Sequence, residues 1–249
     1  MVCAIISDIH SNQEALLAVL ARIKELPVDV VYCLGDLVGY NADPDACMDM
    51  VLARAKETVR GNHDKAVAGF MSLDWFNTEA REAALWTRQA VKPENLEKLK
   101  RLREGPHDVG EGILICHGTP YDEDAYLMDS RSIAESYHCL DAKYNGIRFC
   151  LHGHTHHPLV VSRRKGAGAP RVHRGQEQTD LDGETVYLIN PGSIGQPRDG
   201  IALASFGILD TRRMVYKNIR VRYAVQETQR KVQKAGLPPG LARRLAEGR

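Results

Sequence analysis

Short continuous apolar runs alternate along the chain with stretches whose apolar residues recur every three or four positions. Val2 to Ser7 is the first such run, the pattern of a strand covered on both faces. Ser11-Asn12-Gln13-Glu14 follows with capping-box spacing, Ser11 at the cap and Glu14 three residues on. Leu16, Leu17, Leu20 and Ile23 then fall on one helical face. Asp29 to Leu34 is a second apolar strand, so the chain opens with a βαβ unit and predicts a parallel sheet.

Asp43-Pro44 has the chemistry of an N-cap and first helical residue, opening a helix that runs to about Lys56. A short strand over Thr58-Val59-Arg60 leads into Gly61. The stretch 65–104 reads as helical throughout, an insertion with Trp75, Phe76, Leu85 and Trp86 as core anchors and Pro93 starting a new helix. Strands are expected at Ile113 to Cys116, Arg148 to Leu151 and Val186 to Ile189. Alternation over 201–223 predicts antiparallel strand, and the Gly-, Arg- and Asp-rich stretch 162–184 reads as a mobile hairpin or loop. The tail 224–249 reads as a pair of short surface helices broken at Pro238-Pro239. With no internal repeat and no Gly/Ser linker, a single domain over residues 1–249 is expected.

Composition narrows this picture. With 249 residues, 43% of them apolar, the chain can build one large α/β core. A formal net charge of +1 supplies no global basic field for nucleic acid, so any phosphate must be held by a local site. No stretch approaches the roughly 18 uninterrupted apolar residues of a membrane span, and the first residues show no export signal, which predicts a cytoplasmic protein. The six cysteines have no Cys-x-x-Cys spacing and read as buried, reduced thiols.

Five apolar strands run directly into clusters of metal-ligand residue types: Asp8-Ile9-His10, Gly35-Asp36, Gly61-Asn62-His63-Asp64, His117-Gly118 and His152-Gly153-His154-Thr155-His156. In an open α/β sheet the carboxyl ends of the strands lie along one edge, so these clusters should converge. Two aspartates and several imidazoles packed together would leave polar groups poorly paired, and a metal centre resolves that, since carboxylate and neutral imidazole are ordinary ligands of zinc, manganese and iron. Each cluster alone has a plainer reading as a turn, a cap or a surface histidine. Five in register with five strand ends do not.

The succession Asp-x-His, Gly-Asp, Gly-Asn-His-Asp, His-Gly, Gly-His-x-His resembles the calcineurin-like metallophosphoesterase superfamily, and the later Asn190-Pro191-Gly192-Ser193-Ile194-Gly195-Gln196-Pro197-Arg198 resembles its small bacterial and archaeal predicted phosphodiesterases. The resemblance implies an α/β fold, a four-layer αββα sandwich of two mixed β-sheets. It implies two divalent transition metal ions (manganese first, or iron, zinc or nickel), with Asp8, His10 and His156 on one, Asn62, His117 and His154 on the other, and Asp36 bridging through its two oxygens. The activity implied is hydrolysis of a small phosphodiester, a nucleotide among the candidates, by in-line attack of a metal-activated water.

In that family the residue at His63 faces the substrate rather than a metal, and Asp64 is placed to orient its ring or to form a loop salt bridge. Arg198 is a candidate phosphate contact or a turn stabiliser, and Asn12 and Tyr40 are candidate pocket residues. His152 should pack behind the site, with His107, His138 and His173 at the surface. Protein phosphatases and dinucleoside polyphosphate hydrolases of the superfamily carry an Arg shortly after Gly-Asp, where this chain has Leu37-Val38-Gly39-Tyr40; that disfavours them. A non-catalytic scaffold is disfavoured because no motif residue is lost, and a metallo-β-lactamase relative would need a His-x-His-x-Asp-His motif that is absent. No membrane partner is expected, and a homo-oligomer stays open.

Overall fold

The computed structural model describes residues 1–249 except 167 and 174. Its strands are β1 (Val2–Ile6), β2 (Val30–Cys33), β3 (Glu57–Thr58), β4 (His107–Gly110), β5 (Ile113–Ile115), β6 (Phe149–Leu151), β7 (Leu159–Arg164), β8 (Arg171–His173), β9 (Gln178–Asp180), β10 (Thr185–Asn190), β11 (Ala204–Asp210) and β12 (Val215–Val221). Its helices are α1 (Gln13–Lys24), α2 (Pro44–Arg54), α3 (Asn62–Ala68), α4 (Thr78–Ala90), α5 (Pro93–Lys100), α6 (Ser130–Lys143), α7 (Val225–Lys234) and α8 (Pro239–Glu247).

Two mixed sheets form, in the orders β3-β2-β1-β11-β12-β9 and β4-β5-β6-β10-β7-β8. In the first, β1, β2 and β3 run parallel and β11 closes antiparallel on β1. In the second, β5, β6 and β10 run parallel, with β7 antiparallel on β10. The period of two along each strand assigns its residues to layers. Cys3 and Ile5 of β1 join Ile113, Ile115, Phe149 and Tyr187 between the sheets. Ala4 and Ile6 face the other way, onto Leu16, Val19 and Ile23 of α1 and Met48 and Val51 of α2. On the far side Leu114, Cys150 and Leu188 pack against Ile133, Tyr137 and Leu140 of α6. The result is the four-layer αββα sandwich the resemblance implies.

Several details differ from the sequence reading. Asn12, not Ser11, caps α1: its side-chain oxygen accepts from the Ala15 amide at 3.1 Å. The stretch 65–104 is not helical throughout. It breaks at Gly69, whose left-handed backbone ends α3, and again through a 3-10 turn at Leu73–Trp75. Trp75 is not a core anchor but 86% exposed, and Leu85 is 43% exposed, whereas Phe76 and Trp86 pack inward. The stretch 162–184 carries the end of β7 together with β8 and β9, and β9 pairs antiparallel with β12. The hairpin alternative holds for β7 and β8, which pair antiparallel, and β9 is a strand beyond it that joins the other sheet, with 167 and 174 outside the described residues. His107 and His173 are half-buried, facing Glu57 and Ser162 respectively, while His138 is exposed.

The tail is more than surface decoration. Val232, Leu237, Leu241 and Ala242 are buried against Tyr40, Ala80 and Ala83, so α7 and α8 close onto the same edge as the polar clusters. The pair is interrupted where expected, and Pro238 and Pro239 stand at the start of α8, where a missing amide hydrogen costs nothing.

Candidate metal centre

The loops after β1 and β2 are fastened to one another through backbone amides. Asp8 donates to the Gly35 carbonyl at 3.0 Å, His10 to Asp36 at 2.9 Å and Ser11 to Leu37 at 3.0 Å. The turn at Asn190–Gly195 pins the first loop from the other side, Gly195 donating to the Asp8 carbonyl at 2.8 Å and the Ser193 hydroxyl to the same oxygen at 2.8 Å. Asp8, His10, Ser11, Asp36, Tyr40, His154 and His156 all have left-handed backbone, seven of the nine non-glycine cases among the described residues. Each costs on the order of 1 kcal/mol relative to a right-handed or extended conformation. Such strain concentrated at one sheet edge marks a site whose side-chain directions matter more than its stability. Gly61 is needed for a different reason, because any side chain there would overlap the Asp36 carboxylate.

The side chains converge as the strand-end argument predicts. Donor atoms of Asp8, His10, Asp36 and His156 all lie within 4.8 Å of one another, and so do those of Asp36, His117 and His154. Asn62, the first residue of α3, places its Oδ1 3.2 Å from His117 Nε2. Asp36 belongs to both groups, with Oδ2 3.5 Å from His10 Nε2 and 3.4 Å from His117 Nε2. Its other oxygen is not shared between the groups, as the sequence reading supposed. Oδ1 accepts the His63 backbone amide at 2.9 Å, so one oxygen faces both groups.

The ring nitrogens that face outward fix the chemistry of those that face inward. His10 Nδ1 donates to the Val38 carbonyl at 3.1 Å, His117 Nδ1 to Leu34 at 2.8 Å, His156 Nδ1 to Gln196, and His154 Nε2 to Asp124 at 3.0 Å. A carbonyl can only accept, so each of these nitrogens carries the hydrogen, and in a neutral ring the other nitrogen is a bare lone pair. Those inward nitrogens confront one another: His10 Nε2 and His156 Nε2 are 3.1 Å apart, as are His117 Nε2 and His154 Nδ1.

Extra protons are a poor remedy, because burial drives His10, His154 and His156 well below the ordinary imidazole value. His117 differs: burial opposes its charge, but Asp36 outweighs that and pushes it up to about 10. Burial raises Asp8 to about 6, whereas for Asp36 the nearby His117, His63 and His10 overcome burial and hold it well below the carboxylate range. Paired lone pairs, two carboxylates and an amide oxygen in a buried pocket are a donor set that divalent cations satisfy.

The remaining sequence candidates fall into place differently. His63 is absent from both donor groups, and its ring sits against Tyr40, His10 and Phe76 at centroid distances of 4.4, 4.8 and 4.7 Å. Asp64 does not orient that ring and, among the described residues, forms no salt bridge. Its carboxylate accepts the amides of Leu37 at 2.9 Å, Val38 at 3.2 Å and Gly61 at 2.9 Å, tying the second loop to α3 and leaving His63 Nδ1 buried without a partner. Asn12 does not line the pocket. It is fully buried, and its amide donates to the Gly195 carbonyl at 2.9 Å.

Tyr40 packs against both His10, at 4.6 Å ring to ring, and His63, at 4.4 Å. Arg198 lies over the Tyr40 ring at 5.8 Å and donates to its hydroxyl at 3.2 Å. His152 is buried behind the site beside Asn190, as expected. The sequence reading missed Tyr126, half-exposed and stacked on His154 at 3.9 Å, and the four carbonyls, which leave no trace in residue identity.

Comparison with known proteins agrees with this arrangement. Residues 1–214 match the family model of the calcineurin-like phosphoesterase superfamily domain. The chain is 38% identical over 250 residues to an uncharacterized protein of Methanocaldococcus jannaschii, covering 99% of this chain and 98% of that one. It is similar to the crystal structure of a metallophosphoesterase from Sphaerobacter thermophilus, with 36% identity, a TM-score of 0.84 and coverage of 100% of this chain and 99% of that one. A hypothetical protein of Pyrococcus horikoshii OT3, at 19% identity, shares the fold with a TM-score of 0.79 over 100% of this chain and 98% of its own. Members of the matched family are generally metal-dependent hydrolases, and this chain belongs to the calcineurin-like phosphoesterase superfamily.

Proposed function

We propose that the chain is a dinuclear-metal-dependent phosphoesterase acting on a small phosphodiester. The observation that carries this reading is the confrontation of inward-facing imidazole nitrogens at 3.1 Å in two adjoining groups that share Asp36. In this reading Asp8, His10 and His156 would hold one ion, Asn62, His117 and His154 the other, and Asp36 would be shared by both. Nitrogen and oxygen donors without thiolate suit manganese, iron, zinc or nickel, with manganese proposed as the native metal. When bound, such a pair of ions neutralises phosphate charge and lowers the pKa of water.

The protein's own residues supply the rest. Asn62 is a neutral donor, which limits negative charge where an anionic substrate must approach. Asp64 holds the loop carrying Leu37 and Val38 onto α3, so that Asp36 and Asn62 keep their spacing. Burial brings His63 down to about 4, so its ring is neutral at pH 7. In that state it can donate a hydrogen bond to a phosphate oxygen in the transition state, without acting as a stored imidazolium.

The diester preference is supported by Tyr40 standing where related phosphatases are expected to carry an Arg. A diester brings one negative charge, which the ions offset unaided. The opposing reading, a phosphomonoesterase, is favoured by one observation: Arg198 leans over Tyr40 and restores a cation to that wall. The six cysteines, all free, accord with a reducing cytoplasm as the setting. No described helix is long and apolar enough to cross a membrane.

Chelation should abolish hydrolysis reversibly, and metal analysis of purified protein should give up to two ions per chain. Asp36→Ala should lower occupancy at both positions, since that residue is common to both; full activity after exhaustive stripping would falsify the mechanism. For His63→Ala, metal content should survive while kcat drops about 10²–10³-fold, as for loss of one transition-state donor. The drop should be similar for good and poor leaving groups, whereas a much steeper loss for poor ones would assign proton transfer to His63 instead. Between esters, bis(p-nitrophenyl) phosphate should show the higher kcat/KM than p-nitrophenyl phosphate. A monoester preference that vanishes in Arg198→Ala would make the protein a monoesterase.

A further inference from the structure

The four carbonyls that take the imidazole hydrogens are not equally secure. Leu34, Val38 and Gln196 are fully buried, so the core itself holds the carbonyls behind His117, His10 and His156. The carbonyl behind His154 belongs to Asp124, a partly exposed residue in the loop between β5 and α6. None of residues 121–126 is fully buried, and the chain regains the core at Leu127. The backbone hydrogen bonds of this loop are local: the Thr119 amide donates to the Asp122 carbonyl at 2.9 Å and the Ala125 amide to the same oxygen at 3.3 Å.

What ties Asp124 to the body of the protein is a lysine. Lys65 lies in α3, 6% exposed, three residues after Asn62 and therefore on the same helical face. Its Nζ donates to Glu123 Oε1 at 2.9 Å and to Asp124 Oδ2. Arg60, just before α3, adds a 3.5 Å contact to the same Glu123 oxygen. Among the described residues, however, Lys65 is the one cation within 4.0 Å of the Asp124 carboxylate, whose other oxygen has no partner. A lysine is seldom buried this far unless its charge is paired. One face of α3 thus reaches the second donor group twice. Asn62 does so directly, with Oδ1 3.2 Å from His117 Nε2, and Lys65 does so through Asp124 and His154.

Removing the ammonium would leave the Asp124 carboxylate without a partner among the described residues, at a side chain already 34% exposed. Turning to water, it would draw its carbonyl away from His154 Nε2, and the ring would lose the acceptor that fixes its hydrogen. The imidazoles of the other group rest on core carbonyls and would keep theirs.

We propose that Lys65 is a positioning residue for one half of the metal centre: by holding the Asp124 carbonyl against His154, it sets the ion affinity of the group made by Asn62, His117 and His154. The proposal rests on the dinuclear reading. The sign of its effect separates positioning from simple electrostatics. Loss of a positive charge near a cation site tightens the cation on Coulombic grounds, whereas loss of a positioning residue weakens it.

The test is calorimetric titration of the chelator-treated 249-residue chain with manganese, for wild type, Lys65→Met, Lys65→Arg and Asp124→Asn. Wild type should take two ions per chain. Lys65→Met should weaken one of them about 10–100-fold, the span for lost support behind a ligand, and leave the other unchanged. Lys65→Arg should keep most of the affinity. Asp124→Asn retains the carbonyl but loses the ion pair, so it should match Lys65→Met, and it keeps the proposal testable if that variant does not fold. Two-bond 1H–15N spectra of the metal-free proteins read the ring itself. In both weakened variants the hydrogen on His154 Nε2 should no longer be fixed, while the His10 and His156 signals stay as in wild type. Equal weakening of both ions, a tightened ion, or unchanged His154 signals in both variants would overturn the proposal. A wild type that takes fewer than two ions would refute the dinuclear reading alone, and the His154 spectra would then decide whether Lys65 positions the ring.

Discussion

Four backbone carbonyls decide what this site can be. Val38, Leu34, Gln196 and Asp124 each take the hydrogen of one imidazole, and so compel His10, His117, His156 and His154 to present lone pairs inward. Without a cation between them, the His10 and His156 lone pairs at 3.1 Å repel and lose the hydrogen bonds that buried nitrogens require, while on the other side the proton that Asp36 holds on His117 stands where a cation would bind. The same carbonyls hold the rings in fixed orientations, which is how ligands outside the immediate coordination set tune a metal site. Metal binding and side-chain geometry thus have one cause.

That arrangement is costly to the chain, and the fold shows where the cost is offset. The left-handed residues at Asp8, His10, Asp36, His154 and His156 lie at the ends of strands, or in loops bound backbone to backbone, whose flanking side chains are fully buried between sheets and helices. A sandwich with both sheet faces covered can tolerate several strained positions at one edge. Asp64 contributes by accepting three amides that would otherwise be orphaned near the site. Its role is one of support, carried out one residue away from the ring it was expected to steer.

Much of this was legible in the residues. The strand-end clusters located the site because strand direction is fixed by the βαβ pattern, and the layers followed from which residues were continuously apolar. What escaped depended on information residue type does not carry. Ser11 and Asn12 are both good caps, and only the tie from Asn12 to Gly195 chose between them. Trp75 looks like core to any hydrophobicity argument, yet it sits on a 3-10 turn facing solvent. The tail's apolar residues predicted helices, but not that those helices would close over Tyr40, since that contact joins positions about two hundred residues apart. A hairpin was one reading of the Gly-, Arg- and Asp-rich stretch, but β9 was hidden in it, because its stability comes from pairing with β12 rather than from its own propensity.

The central claim is that carbonyl-fixed tautomers aim four imidazole lone pairs at divalent ions. It is tested most directly by two-bond 1H–15N NMR of the histidine rings in zinc-loaded protein, with and without chelator. The account predicts hydrogen on Nδ1 and metal on Nε2 for His10, His117 and His156, and the reverse for His154 alone. Ring signals that ignore the metal, or a His154 with the same tautomer as the other three, would contradict it.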